Sequence, residues 1–397
     1  MNDGNATILD EMISNLELPD SAYEKANSRY EDIGDWLGRA DSKCHSNGPH
    51  IFPQGSFRLG TAIRPLDEDE EYDLDLVCNL ENGITKISHT QLQLKTLVGY
   101  EIEQYRITRG IKSPLDEKHR CWRLEYQDDL SFHIDIVPCI PGNNDMKFHL
   151  REAILKAGTS ENLADKLSKY AVSITDNQYS TYNLISDDWQ ISNPEGYAKW
   201  FESRMKLSSQ LLSERTLLLK AATIDDLPYY KWKTPLQRCI QLLKRHRDQM
   251  FKDFPDVKPI SAIITTLAAK AYKGESNIAS TLQSILLQMD QLINNSIPMI
   301  PNPVNPEEDF ADKWSMPQYN HLQLQHNFRL WLTQARADFK VLLSSNNAST
   351  IMELTKSKFE LNLNESKVIK AFGLTSMGQH HSPKIITNEV KPWRGII

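Results

Sequence analysis

Three aspartates are the residues of this chain whose type and spacing could do chemistry. Asp73 and Asp75 alternate with apolar residues over residues 72–78, and Asp135 lies inside the apolar run 132–137. In a strand, residues i and i+2 share one face, about 7 Å apart, so Asp73 and Asp75 could bind metal ions together. Burying three carboxylates close together is costly unless divalent cations neutralise them. The pattern predicts a two-metal site for phosphoryl transfer, and the alternative is three solvent-facing strand residues.

A Gly-Ser pair precedes the aspartates and is suited to phosphate binding. Gly55 lacks a Cβ, so its backbone can approach a triphosphate closely, and Ser56 adds a hydroxyl donor. If a helix begins here, its free N–H groups would favour the β and γ phosphates. An ordinary turn is the alternative, and the two aspartate strands that follow favour the phosphate site.

Taken in order, these residues resemble a known superfamily. A Gly-Ser pair, then Asp-x-Asp on a strand, then a lone Asp on a neighbouring strand is similar to the polymerase-β-type nucleotidyltransferases. Within that group, QGSFRLGTAIRP with YDLDLVC resembles the bacterial cGAS-like enzymes (CD-NTases), which make cyclic oligonucleotide signals in anti-phage defence. The resemblance implies an α+β fold: a polymerase-β-like core with a mixed sheet and a long N-terminal spine helix, plus a C-terminal α-helical lobe. The active site would lie in the cleft between them.

The resemblance also assigns roles to the acids and to the turn. Asp73 and Asp75 would hold two Mg²⁺ ions, with Mn²⁺ as a substitute, that bridge the triphosphate. Asp135 would share the metal that activates the acceptor hydroxyl and would help to take its proton. Gln54 and Phe57, which flank the Gly-Ser pair, match nucleotide-binding positions of the family.

In the helical lobe, the resemblance points to Lys244 and Ser261 as contacts of the donor triphosphate. Lys244 projects away from much of the apolar stripe of its helix, so a surface charge is the alternative, and Arg245 or Arg247 would replace it if the register differs. Base reading would need aromatic side chains, for which Tyr229, Tyr230 and Trp232 are candidates. The Pro-rich stretch 301–314 would border the acceptor pocket or form a structural lid.

The elements that must position these residues follow from periodicity and turn chemistry. Residues 1–19 are expected to be weakly structured, and an amphipathic helix is expected from residue 20 to about 39. The runs 121–126 and 131–137 are predicted to form a β-hairpin. The predicted organisation is a nucleotidyltransferase core with its spine helix over 20–200, a helical lobe over 201–375, and a tail over 376–397.

Composition limits the partners and the compartment. A net charge of −7 argues against a protein that wraps a nucleic acid, so no stable nucleic-acid partner is expected. The five cysteines are scattered and have no zinc-site spacing, and no stretch is long and apolar enough for a membrane span or export signal. We expect a cytoplasmic monomer that uses nucleoside triphosphates, with regulatory or effector proteins of a defence operon as possible partners.

The predicted activity is template-independent joining of NTPs into a cyclic di- or trinucleotide, with release of pyrophosphate. A linear oligonucleotide, or nucleotidyl transfer to RNA, protein or a small molecule, is the alternative within the same chemistry. A catalytically silent nucleotide-binding scaffold is the alternative of a different class. The intact set of three aspartates argues against the scaffold, because a silent protein has no need for three costly carboxylates.

Overall fold

The computed structural model describes residues 3–67, 71–127, 132–207, 233–294 and 296–372. The α-helices of these residues are α1 (Asp3–Leu16), α2 (Asp20–Gly38), α3 (Gly55–Leu59), α4 (Gln91–Thr108), α5 (Asn144–Lys156), α6 (Glu161–Ser168), α7 (Pro194–Met205), α8 (Pro235–Met250), α9 (Ser261–Ala271), α10 (Ile278–Gln288), α11 (Leu324–Ser344), α12 (Ala348–Phe359) and α13 (Glu365–Ala371). The strands are β1 (Pro49–Gln54), β2 (Tyr72–Leu80), β3 (Asp116–Glu117), β4 (Trp122–Tyr126), β5 (Phe132–Pro141), β6 (Val172–Ile174), β7 (Gln190–Ser192), β8 (Pro301–Asn302) and β9 (Asn305–Asp309).

The main sheet is mixed, which confirms the predicted α+β class. Its strand order is β1-β2-β5-β4-β3, with β6 paired to the far end of β5 and β7 paired to β6. Strands β2 and β5 run parallel, and the other pairs are antiparallel. The parallel pair places the two aspartate-bearing strands directly side by side.

Helices α2 and α4 cover one face of this sheet. Leu74 and Leu76 are fully buried in the core that these helices share with the sheet, whereas Asp73 and Asp75, which alternate with them along the strand, face the other side. The Tyr30 hydroxyl of α2 donates a 2.9 Å hydrogen bond to the carbonyl of Ile51 on β1. The predicted spine helix is therefore present and fixes the strand that leads into the Gly-Ser turn.

A second core lies among the helices. It contains buried residues of α5 to α13 and of α1. Helix α8 begins as its sequence predicts, because Thr234 and Gln237 form a capping box and Pro235 occupies the first turn. The predicted boundary at residue 200 falls inside α7, whose buried Phe201 belongs to this second core.

The N-terminal segment differs from its prediction. Residues 1–19 were expected to be weakly structured, yet Asp3–Leu16 form a helix. Its buried residues follow a helical spacing and pack into the second core: Ile8, Leu9, Met12, Ile13 and Leu16. The prediction was wrong because the acidic and polar residues of this segment lie on the opposite face of an amphipathic helix.

Truncating Met12 measures this packing. Met12 is 0% exposed, so Met12→Ala should lower the free energy of unfolding by about 2–4 kcal/mol, through lost burial and the cavity left behind. Ser14 lies on the exposed face of the same helix, so Ser14→Ala should change the free energy of unfolding by less than about 0.5 kcal/mol. Urea unfolding checks both. Equal stability of the two variants would mean that α1 is not docked.

Other features bear on the sequence predictions. All five cysteines are buried and free. Within the described ranges, every helix is too short or too polar to cross a membrane. Tyr229, Tyr230, Trp232 and the predicted tail over 376–397 lie outside the described residues.

Candidate active site

Four side-chain positions lie in one row across the sheet. Gln54 pairs with Asp75 between β1 and β2, Asp75 pairs with Asp135 between β2 and β5, and Asp135 pairs with Arg123 between β5 and β4. Residues paired across neighbouring strands point to the same face. Strand register alone therefore brings together two of the three predicted acids and adds an arginine beside them.

The three aspartates form the cluster that the sequence predicted. One carboxylate oxygen from each of Asp73, Asp75 and Asp135 lies within 4.8 Å of the others. Burial, and then the charges of Asp73 and Asp135, raise the pKa of Asp75 to about 8. Three carboxylates this close repel one another, which makes it costly for all three to be charged at once.

Two basic side chains engage the acids from the sides. Arg123 donates from Nε and Nη2 to the two oxygens of Asp135, both at 2.8 Å. His133 lies 3.0 Å from Asp73 through Nε2 and 3.2 Å from Glu71 through Nδ1. Burial lowers the pKa of His133, but the hydrogen bond and the charge of Asp73 raise it by more. Both contacts orient the carboxylates that they touch.

Sequence reasoning missed Arg123, although a signal was present. The hairpin 121–126 and 131–137 was predicted, and its register pairs Tyr126 with Phe132. Because the strands are antiparallel, counting three residues back from Tyr126 and three forward from Phe132 places Arg123 opposite Asp135. His133 lies two residues before Asp135 on the same strand, and its contact with Asp73 gives it an indirect role.

Replacing Arg123 tests whether it orients Asp135. Arg123→Lys keeps the charge but loses the two-pronged contact, so turnover should fall by about 10–100-fold, the usual cost of losing a partner of a metal ligand. Arg109→Lys is the matched control, because Arg109 also contacts both oxygens of an aspartate, Asp32, on the spine helix. Steady-state kinetics of both variants make the comparison. Equal losses would assign Arg123 a purely structural role.

The Gly-Ser turn is packed against the acids. Gly55 has φ +64°, in the left-handed region. A Cβ at Gly55 would lie 2.9 Å from Cγ of Asp75 and closer still to its Oδ2. Only glycine fits here, so the turn and the carboxylate are built as one unit. Helix α3 has five residues and a weak dipole, so its contribution to phosphate binding rests on free backbone N–H groups.

Phe57 lines the same cavity, but its ring lies in the sheet core. The residue is 1% exposed, and its ring packs against Tyr23 and Phe132. A contact of Phe57 with a nucleotide would therefore come from its backbone, while the ring anchors the turn. Gln54 and Ser56 line the cavity beside it.

Lys244 and Ser261 lie on α8 and α9 and face the same cavity. Lys244 is buried, at 6% exposure, and donates a 3.0 Å hydrogen bond to the carbonyl of Thr61. Burial, and then the charge of Arg247, lower its pKa to about 8. Ser261 accepts a 3.0 Å hydrogen bond from Arg247 Nη1. The predicted surface alternative for Lys244 is therefore wrong, because the segment after α3 covers its helix.

The cavity between sheet and lobe has a volume of about 770 Å³. It is lined by the turn, Asp73 and Asp75 on one side and by α8 and α9 on the other, with α7 and the β8–β9 hairpin closing a further wall. That volume lies in the range of small-molecule sites. Carboxylates, a Gly-Ser turn and buried cations around one cavity define a polymerase-β-type nucleotidyltransferase.

Comparison with known proteins identifies the family within this class. A model of the nucleotidyltransferase domain of DncV-like cyclic GMP-AMP synthases matches residues 49–139. The chain is 30% identical over 313 residues to a c-di-GMP synthase of Roseivirga ehrenbergii, across 77% of this chain and 72% of that protein. It is 24% identical over 332 residues to the cyclic dinucleotide synthase CdnG of Bradyrhizobium diazoefficiens, across 78% and 70%.

The fold agrees with solved structures of the same group. The Bradyrhizobium diazoefficiens CdnG in complex with GTP has a TM-score of 0.64 at 21% identity, covering 92% of this chain and 97% of that chain. The Vibrio cholerae di-nucleotide cyclase DncV, in a complex with ATP and GTP, has a TM-score of 0.57 at 14% identity, covering 92% and 97%. The chain belongs to the CD-NTase family and is a nucleotidyltransferase of the cyclic oligonucleotide synthase class.

Proposed function

We propose that the protein condenses two GTP molecules into cyclic di-GMP and releases two pyrophosphates. The Gly-Ser turn beside Asp73 and Asp75 carries this proposal, because acid ligands and a turn suited to phosphate line one cavity. Asp135 and Arg123 stand next to Asp75 in the strand register. The choice of guanine is supported by the c-di-GMP synthase of Roseivirga ehrenbergii, with which this chain shares 30% of residues. A linear product or another acceptor remains the alternative outcome of the test below.

The donor set fits magnesium. Asp73, Asp75 and Asp135 offer oxygen ligands within 4.8 Å of one another, the hard ligands that Mg²⁺ and Mn²⁺ prefer. The raised pKa of Asp75 supports this, because burial and the charges of Asp73 and Asp135 outweigh the charges of His133 and Arg123. When bound, two magnesium ions would offset negative charge on the phosphates and lower the pKa of the attacking hydroxyl.

The protein's own groups position the reactants. The ribose hydroxyl of one GTP releases its proton to solvent and forms a bond to the α-phosphorus of the other, while the bond from that phosphorus to the bridging oxygen of pyrophosphate breaks. Lys244 and Ser261 would hold the triphosphate, and the backbone at Gly55 and Ser56 would donate to its oxygens. Because both oxygens of Asp135 accept from Arg123, we assign Asp135 to metal binding rather than to taking the hydroxyl proton. A second condensation of the same kind closes the ring.

Product analysis tests the proposal. The purified protein is incubated with the four NTPs, singly and mixed, with Mg²⁺ or Mn²⁺, and pyrophosphate is measured. GTP alone should be sufficient for pyrophosphate release. Release only when a second NTP is added would replace cyclic di-GMP with a mixed product, and no release under any condition would favour a nucleotide-binding scaffold.

The pH dependence should report Lys244. Its amine is charged below its pKa of about 8 and neutral above it, so kcat/KM for GTP should fall as pH rises through about 8. Saturating Mg²⁺ keeps Asp75 ionised, so the fall of kcat/KM above pH 8 is not mixed with the titration of the acids. Lys244→Met should lower kcat/KM at pH 7 by about 10-fold, the weight of one charge-assisted contact, and abolish the fall between pH 7 and 9.

Lys252→Met is the control for that profile. Lys252 lines the cavity but is paired with Asp67 and Glu360 at its mouth. Its loss should leave the alkaline fall in place. A fall that persists in Lys244→Met would assign the titration to another group.

The remaining roles follow the family. We propose that the product serves as a second messenger in anti-phage signalling, made in the cytoplasm, where NTPs are abundant and free thiols such as those of this chain stay reduced. Infection of cells that carry the wild-type gene or an Asp75→Asn allele tests this role. Equal phage sensitivity of the two strains would contradict it.

A further inference from the structure

One carboxylate of the cavity lies away from the acid cluster and forms no ion pair within the described part of the chain. Most cavity carboxylates outside the cluster are ion-paired: Asp67 with Lys252, Glu71 with His133, and Asp248 with Arg247 and Lys258. Within the described ranges, two of them form no ion pair, the exposed Asp253 and the half-buried Glu308 on β9. Glu308 is therefore a partly desolvated negative charge in a cavity that must accept negatively charged nucleotides.

The surroundings hold Glu308 in place. Asn302 Nδ2 donates a 2.7 Å hydrogen bond to Glu308 Oε2, while Asn302 Oδ1 accepts from the Val304 backbone at 3.0 Å. Asn302 is 5% exposed, so its amide is fixed at both ends. Asp309 braces the hairpin by accepting from the backbone N–H groups of Ile300 and Ala311, both at 2.8 Å. The carboxylate is thus preorganised rather than mobile.

An aromatic wall stands beside it. The rings of Tyr197 and Phe310 meet edge to face, with centroids 6.1 Å apart, and both residues line the cavity. The Tyr197 hydroxyl is hydrogen-bonded to Thr266 Oγ1 at 2.8 Å. The part of Tyr197 that is available to the cavity is therefore its ring. An exposed aromatic ring face next to a fixed carboxylate matches a base, with the base stacked on that face and its edge toward the acid.

We propose that Glu308 reads the Watson–Crick edge of guanine in this cavity. Guanine presents two adjacent donors, N1–H and the N2 amino group, which a carboxylate accepts as a pair. Adenine and cytosine present a ring nitrogen lone pair beside their amino group, and uracil presents one N–H between two carbonyls. Each of those edges would place lone pairs against the carboxylate. This inference rests on the proposed function for its choice of NTP substrates and adds the residue that selects the base.

Burial effects agree with this role. Burial raises the pKa of Glu308, and hydrogen bonds from Asn302 and Asn305 and the charge of Arg120 offset this only in part. A guanine edge would supply two further donors. The carboxylate therefore favours guanine, since a base without donors would bury it further and add no hydrogen bond.

Binding measurements without turnover test the inference. The α,β-methylene analogues of GTP and ATP are titrated calorimetrically, with Mg²⁺, into wild type, Glu308→Gln and Glu307→Gln. Wild type should prefer the guanine analogue by at least about 10-fold, the usual range for a two-point edge contact. A glutamine amide offers one donor and one acceptor, which suit adenine, so Glu308→Gln should bring the ratio close to one. Glu307 is exposed, so Glu307→Gln, with the same change of charge, should keep the wild-type ratio.

Three results would overturn the inference. The first is no preference of the wild type for the guanine analogue, and the second is an unchanged affinity ratio in Glu308→Gln. The third is an equal loss of affinity for both analogues in Glu308→Gln, which would mean a structural role. Thermal unfolding of each variant verifies that it is folded. If guanine selection behaves as expected but no cyclic product forms from GTP, the proposed function fails and the assignment of Glu308 stands.

Discussion

Asp75→Asn should lower turnover by about a thousandfold, since the several kcal/mol of charge stabilisation at a metal site depend on its ligands. The same change should raise the thermal stability of the metal-free protein. Asp75 has a folded-state pKa of about 8 against an ordinary value of 3.8, so the folded state keeps a proton that the unfolded state releases. The stability this contributes is complete below about pH 4 and is lost as pH rises through about 8.

Asparagine removes that pH-dependent loss while nearly preserving the shape of the side chain. At pH 8, without metal, Asp75→Asn should therefore melt a few degrees above wild type. Added Mg²⁺ should raise the melting temperature of wild type and leave the variant nearly unchanged. Differential scanning calorimetry with and without Mg²⁺ makes this measurement, and a variant less stable than wild type in the absence of metal would contradict the electrostatic description of the acid cluster.

Gly55→Ala should damage both fold and activity. An alanine at φ +64° costs about 1–2 kcal/mol of backbone strain. Its Cβ would also lie 2.9 Å from Cγ of Asp75, and relieving that overlap costs about 1–3 kcal/mol more. Because the atom that must shift is a proposed metal ligand, turnover should fall by about 100-fold, the effect of a displacement near 1 Å.

Gly110 provides a matched control for Gly55. It has φ +66°, and a Cβ there would have nothing within 4 Å. Gly110→Ala should show the backbone strain of a positive φ without a steric overlap, and it should keep full activity. Chemical denaturation and steady-state kinetics of the two variants separate the cost of strain from the cost of overlap. Equal losses of stability in both would mean that the turn can move away from Asp75.

Local patterns were sufficient for the parts of the site that lie on single elements. Alternation predicted that Asp73 and Asp75 share a face, and the cap at Thr234 predicted where α8 begins. These features depend on neighbours in the chain, whose geometry is the same in any protein. The long spine helix followed from periodicity for the same reason.

Features that depend on distant parts of the chain could not be predicted in this way. Lys244 was open to a surface interpretation because its burial depends on Thr61, which lies 183 residues earlier. Glu308 lies in the Pro-rich stretch 301–314 that was expected to border the acceptor pocket or form a lid, but nothing local gave this residue a role. Its partner Asn302 and the aromatic wall come together only when α7 and the β8–β9 hairpin meet. The motif gave the position of Phe57 beside the cavity but not the direction of its ring, which packs into the sheet core.

The stoichiometry of pyrophosphate release, measured together with phosphatase treatment, tests the central claim most directly. Wild-type protein is incubated with GTP and Mg²⁺, and the GTP consumed, the pyrophosphate formed and the mass of the phosphatase-resistant product are determined. Closing a ring of two guanylates releases one pyrophosphate for every GTP consumed. The product has no terminal phosphate, so phosphatase leaves its mass unchanged. One pyrophosphate for every two GTP, with a product that loses its terminal phosphates, would show a linear dinucleotide and contradict the proposed cyclisation.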